Sequence, residues 1–212
     1  MRKVVVMGFP GVGKTTIGVQ FVDKKYVDSY SPTISNTFHT TLSHNGTSYD
    51  LEIVDSAGQD EHSMWHAQHA IGVDGFIMVY SVVNKKSFGV IRVVNDKILD
   101  ACGTEKVARV LVGNKSDLGK REVTREEGQV SRVFGFLPCG VLFLRMLLTV
   151  PFFYQDLAKE IGCAFVECSA KKNENIETAF RLLLDEMDKI NAPPRGVKPT
   201  KPAGEDSGCM VL

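Results

Sequence analysis

Residues 8–15 read Gly8-Phe-Pro-Gly-Val-Gly-Lys-Thr15. The spacing G-x-x-x-x-G-K-[ST] is that of a phosphate-binding loop. Glycines let successive backbone N–H groups converge on one centre, which suits a row of phosphate oxygens. The apolar run Val4-Val-Val-Met7 precedes the loop and a helical stretch, Lys14–Val22, carries it on. A helix start there adds its partial positive charge. Alone, the octapeptide also fits a glycine-rich turn ahead of a helix. The flanking strand and helix select the phosphate reading, with Gly11, Val12, Gly13, Lys14, Thr15 and Thr16 as nucleotide contacts. Lys14 would reach the outer phosphates and act in catalysis, and the Thr15 hydroxyl would ligate Mg²⁺.

Working outward, strand-like runs are expected at Lys3–Met7, Phe38–Ser43, Ser48–Val54, Gly75–Ser81, Val107–Val112 and Ala164–Glu167, and helices at Lys14–Val22, Lys86–Asp100 and Ile176–Ile190. That alternation predicts an α/β fold with a mostly parallel sheet and helices on both faces. His44-Asn45-Gly46 signals a hairpin, so the second and third strands should be antiparallel. At 212 residues the chain suits one α/β domain, residues 1–191, followed by a tail, 192–212, rich in Pro, Gly, Lys, Asp and Ser. Net charge is zero, which gives no support for a nucleic-acid partner. The five cysteines are scattered without a C-x-x-C pair, as in a reduced, intracellular set, and no secretory leader is expected.

Four further constellations fall at strand ends or in loops, where open α/β sheets bind ligands. Asp55-Ser-Ala-Gly-Gln59 closes an apolar strand. Asp55 can hold Mg²⁺ through water, Gly58 offers an N–H to a third phosphate, and Gln59 can orient an attacking water. In Tyr26-Val-Asp-Ser-Tyr30-Ser-Pro-Thr33, Pro32 enforces an extended backbone, Thr33 can complete the Mg²⁺ shell, and Tyr26, Val27, Asp28 and Tyr30 are candidate nucleotide contacts. Asn114-Lys-Ser-Asp117 follows a strand. The Asp117 carboxylate can accept from N1–H and the exocyclic amine of guanine, a pair that adenine lacks. The Lys115 stem can lie along the base. In Cys168-Ser-Ala-Lys171, small residues let the Ala170 N–H approach guanine O6, with Ser169 and Lys171 beside it.

In this order the motifs resemble the Ras superfamily of small GTPases, and most closely the Rheb subfamily. The residues that carry the likeness include Phe21-Val-Asp23, Val27-Asp-Ser-Tyr30, Pro32-Thr-Ile34, Asn36-Thr-Phe38, Asp55-Ser-Ala-Gly-Gln-Asp-Glu61, Val79-Tyr-Ser-Val82 and Lys86-Ser-Phe88. The resemblance implies a six-stranded sheet with five helices, and a GTP/GDP switch built from the Tyr30 region and residues Gly58–Trp65. It also implies growth signalling through the target-of-rapamycin kinase complex as effector, with a GTPase-activating protein and an exchange factor as regulators. Three positions depart from the pattern. Pro10 stands where Ras members carry glycine and Rheb members usually arginine, which bears on hydrolysis. Ser35 replaces an acidic residue of the effector region, and His62 replaces a tyrosine.

The pattern runs to Gln129 and resumes at Asp156. Joined directly, these flanks give one amphipathic helix. Between them, residues 130–155 are strongly apolar. A transmembrane span is disfavoured by Arg145, by the breakers Gly135, Pro138, Gly140 and Pro151, and because both flanks must return to one small domain. A docked insertion and translated intron are the other readings. We read the segment as intron, because Val130-Ser131 can be encoded by GTAAGT or GTGAGT and the run to Gln155 permits a pyrimidine tract closing in CAG. The chain closes with Cys209-Met-Val-Leu212, a C-a-a-X box that a prenyltransferase would modify at Cys209. A single lipid implies reversible anchoring, hence cytoplasm and the cytosolic face of membranes. Two other classes compete with a hydrolysing switch. A GTP-binding scaffold with little turnover fits Pro10, and a metabolic kinase is disfavoured by the guanine motif.

Overall fold

The structure, a computed structural model, describes residues 1–26, 28, 32–60, 71–125 and 157–191. Val27, Tyr30, residues 61–70 with His62 and Trp65, the 130–155 segment and the tail with Cys209 lie outside the described residues. The elements run β1 (Arg2–Gly8), α1 (Lys14–Asp23), β2 (Ser35–His44), β3 (Thr47–Ser56), β4 (Gly75–Ser81), α2 (Lys85–Cys102), β5 (Ala108–Asn114), α3 (Leu157–Ile161), β6 (Ala164–Glu167) and α4 (Ile176–Asn191). The six strands form one sheet in the order β2-β3-β1-β4-β5-β6. Only β2 and β3 pair antiparallel, in register from Ser35↔Ser56 to His44↔Thr47. Their turn places Asn45 and Gly46 at positive φ (49° and 77°), as a tight hairpin requires.

Strand alternation splits the core in two. Val4 and Val6 of β1, Ile77 and Val79 of β4, and Val110 and Val112 of β5 face α1 and α4. Val5, Met7, Phe76, Met78, Tyr80 and Leu111 face α2 and α3. On the first face Phe21 stacks on Phe180 with ring centroids 3.8 Å apart. On the second, Tyr80 meets Phe88 edge-on. α2 starts where the Asn84 side chain accepts from Ser87 N at 3.0 Å, and stops at Gly103, whose φ of 64° turns the chain off the helix.

Every strand expected from the sequence is present, and the long helices extend one or two residues beyond their expected ends. Of the helix expected across the 130–155 interruption, the described part is α3. Leu157 and Ala158 bury it in the second core. Buried Arg109 fastens its end by donating to Ile161 O at 3.2 Å while also reaching Asn95 Oδ1 of α2. No helix among the described residues is long and apolar enough to cross a membrane.

Because Phe180 is buried against a stacked ring, Phe180→Ala should lower the unfolding free energy by about 3–5 kcal/mol. Urea unfolding measures it, with the midpoint falling at an unchanged slope.

Candidate functional site

The C-terminal ends of β1, β3 and β5 open on one cleft of about 880 Å³. Its walls include Gly11, Gly13, Lys14, Thr15, Thr16, Tyr26, Asp28, Thr33, Gly58 and Lys115, all of them candidates from the sequence. A second cavity, of about 650 Å³, lies at the opposite end of the sheet between Val73, Val107, Ala108 and Met187, and holds none of the motif residues.

The phosphate loop is shaped by two close approaches. Gly8 has φ 144°, and a Cβ on it would meet Val79 O at 2.0 Å. Gly13 has φ 98°, and a Cβ there would meet Asn114 Nδ2 at 2.4 Å. Gly13 is also the N-cap of α1 and supplies no side chain to it, and no acidic residue occupies the first turn. The first N–H groups of α1 therefore have no capping side chain, which makes this end an anion site. Lys14 Nζ donates to Gly8 O at 3.0 Å and Phe9 O at 3.1 Å, so its ammonium is held across the loop. Burial lowers its pKa to about 8, against the opposing pull of the Asp55 charge. Bound phosphate would supply the missing anionic partner.

Beside the loop, three hard oxygen ligands converge. Thr15 Oγ1 donates to Asp55 Oδ2 at 2.6 Å and lies 2.8 Å from Thr33 Oγ1. Asp55 is 1% exposed, and its Oδ1 has no hydrogen-bond partner among the described residues. Burial pushes its carboxyl pKa up, against the Thr15 hydrogen bond and the Lys14 charge. An orphaned buried carboxylate oxygen within a set of hydroxyls is the donor chemistry that fits Mg²⁺.

The guanine-motif residues are brought together across the sheet. Asn114 Nδ2 donates to Val12 O at 2.8 Å, and Lys115 Nζ donates to Gly11 O at 2.8 Å. Asp117 Oδ1 accepts from Ser169 Oγ at 2.6 Å. The Ala170 N–H, expected to face guanine O6, donates to Asn114 Oδ1 at 3.2 Å, so a base would have to share it. Lys171 follows in an exposed turn.

Gln59 differs most from its expected placement. It is 4% exposed, its Nε2 reaches Ala57 O at 3.4 Å, and its Oε1 has no partner among the described residues. Its backbone N–H, donated to Gly8 O at 2.9 Å, clips the segment to the phosphate loop and turns the side chain inward. The sequence reading missed Val19, Ile34, Ser35, Asn36 and Ser56 as cleft walls. Val19 sits one helical turn beyond Thr15 and Thr16, and Ile34–Asn36 directly continue from Thr33, so adjacency was the available signal. Cys168 is buried and Cys163 half-buried, and desolvation pushes both thiols up to about 12, which makes them poor nucleophiles.

Comparison with known proteins agrees with this geometry. The sequence profile of the Ras family matches residues 3–136 and 152–189. A GTP-binding protein Rheb homolog of Dictyostelium discoideum is 45% identical over 212 residues, covering 100% of this chain and 97% of that protein. GTP-binding protein rhb1 of Schizosaccharomyces pombe is 39% identical over 211 residues, 99% of this chain and 96% of that protein. Human GTP-binding protein Rheb is 38% identical over 191 residues, 90% of each. An uncapped helix end, an oxygen cluster beside it and the Asp117 carboxylate held by Ser169 thus sit in a chain that matches these proteins nearly end to end, and the chain belongs to the Ras family of small GTPases, in its Rheb subfamily.

Proposed function

We propose that this GTPase is a slow, Mg²⁺-dependent, lipid-anchored switch acting in growth control through the target-of-rapamycin kinase complex. The observation that carries the switch reading is the Thr15–Thr33–Asp55 cluster, because it ties the first turn of α1 to Thr33, in the loop before β2, through side-chain oxygens. Thr15 and Thr33 would hold Mg²⁺ directly and Asp55 through water. When bound, the ion neutralises charge on the outer phosphates. With a third phosphate in place, Thr33 gains a reason to stay, and without one it loses it. That difference is what an effector would read at the exposed stretch Ile34-Ser35-Asn36.

For hydrolysis, Lys14 stabilises charge on the transferring phosphoryl group, and positioning supplies the rest of the rate. The burial of Gln59 supports slow turnover, since its carboxamide must swing out before it can orient water. An activating protein would accelerate that step. Base choice rests on Asp117, held by Ser169. Resemblance to the Rheb subfamily is what supports the growth-signalling role and the kinase effector in this proposal. Anchoring follows from the Cys209-Met-Val-Leu212 box and would place the protein in the cytoplasm and on cytosolic membrane faces.

Asp117→Asn should weaken GTP by roughly 100-fold and shift preference toward xanthine nucleotides, since the amide donates where the carboxylate accepted. Competition between the two nucleotides decides it, and an unchanged GTP preference would sink the base-reading role.

Cys209→Ser should move the protein from membranes to cytosol on fractionation. A mutant that stays on membranes would point to residues 130–155 as the anchor. Removing residues 130–155 should raise the melting temperature and soluble yield of the GDP-loaded protein, because it joins the two flanks into one amphipathic helix and takes away a strongly apolar segment. A lower melting temperature or lost nucleotide would show that the segment is structural.

A further inference from the structure

Gly58 is a glycine for want of room. Its φ does not fall in the left-handed region, so other residues could adopt its backbone. A Cβ built there, however, would lie 2.5 Å from Pro10 Cγ, 2.7 Å from Pro10 Cα and 2.8 Å from Pro10 N. Two of these are backbone atoms, and the third belongs to a ring that cannot rotate away. The same segment is fastened on its other sides. Ser56 Oγ donates to Val6 O at 2.8 Å, and Gln59 N donates to Gly8 O at 2.9 Å. Residues 56–59 therefore lie along residues 6–10, with Pro10 and Gly58 together on the cleft wall.

We propose that Pro10 is a positioning residue of this GTPase: its rigid ring packs against Gly58 and, with the Ser56 and Gln59 hydrogen bonds, keeps the 56–59 segment docked on the phosphate loop whether or not a third phosphate is bound. Every anchor of that segment named above comes from the protein. Val6 and Gly8 supply carbonyls, and Pro10 supplies a rigid surface. Pro10 has no N–H to offer a phosphate, so its contribution here is steric. Its locked φ also leaves the loop few alternative shapes to escape into. The consequence is that the Gly58–Gln59 half of the switch responds weakly to the loss of the third phosphate, while Gln59 stays buried. The inference rests on the nucleotide reading of the cleft.

The test is a double-mutant cycle in the full chain with Pro10→Gly, Gly58→Ala and both together, loaded with GDP or a non-hydrolysable GTP analogue. Pro10→Gly should speed amide exchange at Gln59 by about 10-fold in the GDP form and much less in the analogue form. It should also raise single-turnover hydrolysis severalfold. Gly58→Ala should lower the ratio of GTP to GDP affinity, and that penalty should shrink by about fivefold or more in the Pro10→Gly background. The exchange comparison stands alone if Gly58→Ala does not fold. Equal penalties in both backgrounds, or exchange at Gln59 unmoved by Pro10→Gly, overturn the clamp alone. A wild-type chain that binds neither nucleotide overturns the underlying reading, and the clamp with it.

Discussion

The amide of Asn114 donates to the carbonyl of Val12 at 2.8 Å, and that contact joins the phosphate-loop motif to the strand end that carries the Asn114–Asp117 motif. It is possible only because Gly13 has no side chain. A Cβ there would stand 2.4 Å from the same nitrogen. Asn114 then uses its oxygen to accept from Ala170 N, so one side chain links the phosphate loop, β5 and the turn after β6. Lys115 repeats the link with Gly11 O. Phosphate loop and base motif are therefore one hydrogen-bonded unit. A shift in either would move the other, which is why the spacing of the two along a ligand can be held so closely.

Charge in this unit is unbalanced by design of the burial. Lys14 is lowered to about 8 and Asp55 is raised, both chiefly by desolvation. Each moderates the other, yet neither is fully satisfied: the ammonium rests on carbonyls and one carboxylate oxygen has no partner among the described residues. Burying unpaired charge is costly, and proteins carry such sites where a ligand completes them. On the proposed reading a phosphate chain would answer the lysine and a divalent cation the aspartate. Each ligand component would then relieve a cost built into the folded protein, which would tie nucleotide and metal binding to stability.

Much of this was legible in the sequence because it is written in local chemistry. Gly8 and Gly13 announce the loop, Asn45-Gly46 the hairpin, and the alternating apolar pattern of β1, β4 and β5 a sheet covered on both faces. Asp55, Thr15 and Thr33 could be assigned one role although far apart in sequence, because each residue type suits the same ion. Side-chain direction was not legible. Gln59 is turned inward by a backbone bond to Gly8 O, and no residue near it in sequence reports that bond. The use of Ala170 N–H by Asn114 is likewise a contact between residues 56 positions apart. The burial of Arg109 depends on Asn95 and Ile161, which only the packing of α2 and α3 brings to it.

The layout is also compatible with the interruption expected at residues 130–155. The residues that bind one another across the cleft come from β1, β3, β5 and the turn after β6, whereas the 130–155 segment enters between Arg125 and Leu157, ahead of the short α3 and the outermost strand β6. α3 is held by Leu157 and Ala158 in the second core, by Arg109 at its end and by an exposed Arg92–Glu160 pair. Among the described residues these anchors hold α3 at both ends, Leu157 and Ala158 at its start and Arg109 at Ile161 O. Lengthening the loop ahead of it costs little more entropy than closing a shorter one. The register of β6 against β5, from Val110↔Ala164 to Gly113↔Glu167, is set after the interruption, and so is the position of Ser169 beside Asp117. A break at this point therefore leaves the base-reading turn in place, whereas a comparable break between β1 and α1 would remove the phosphate site itself.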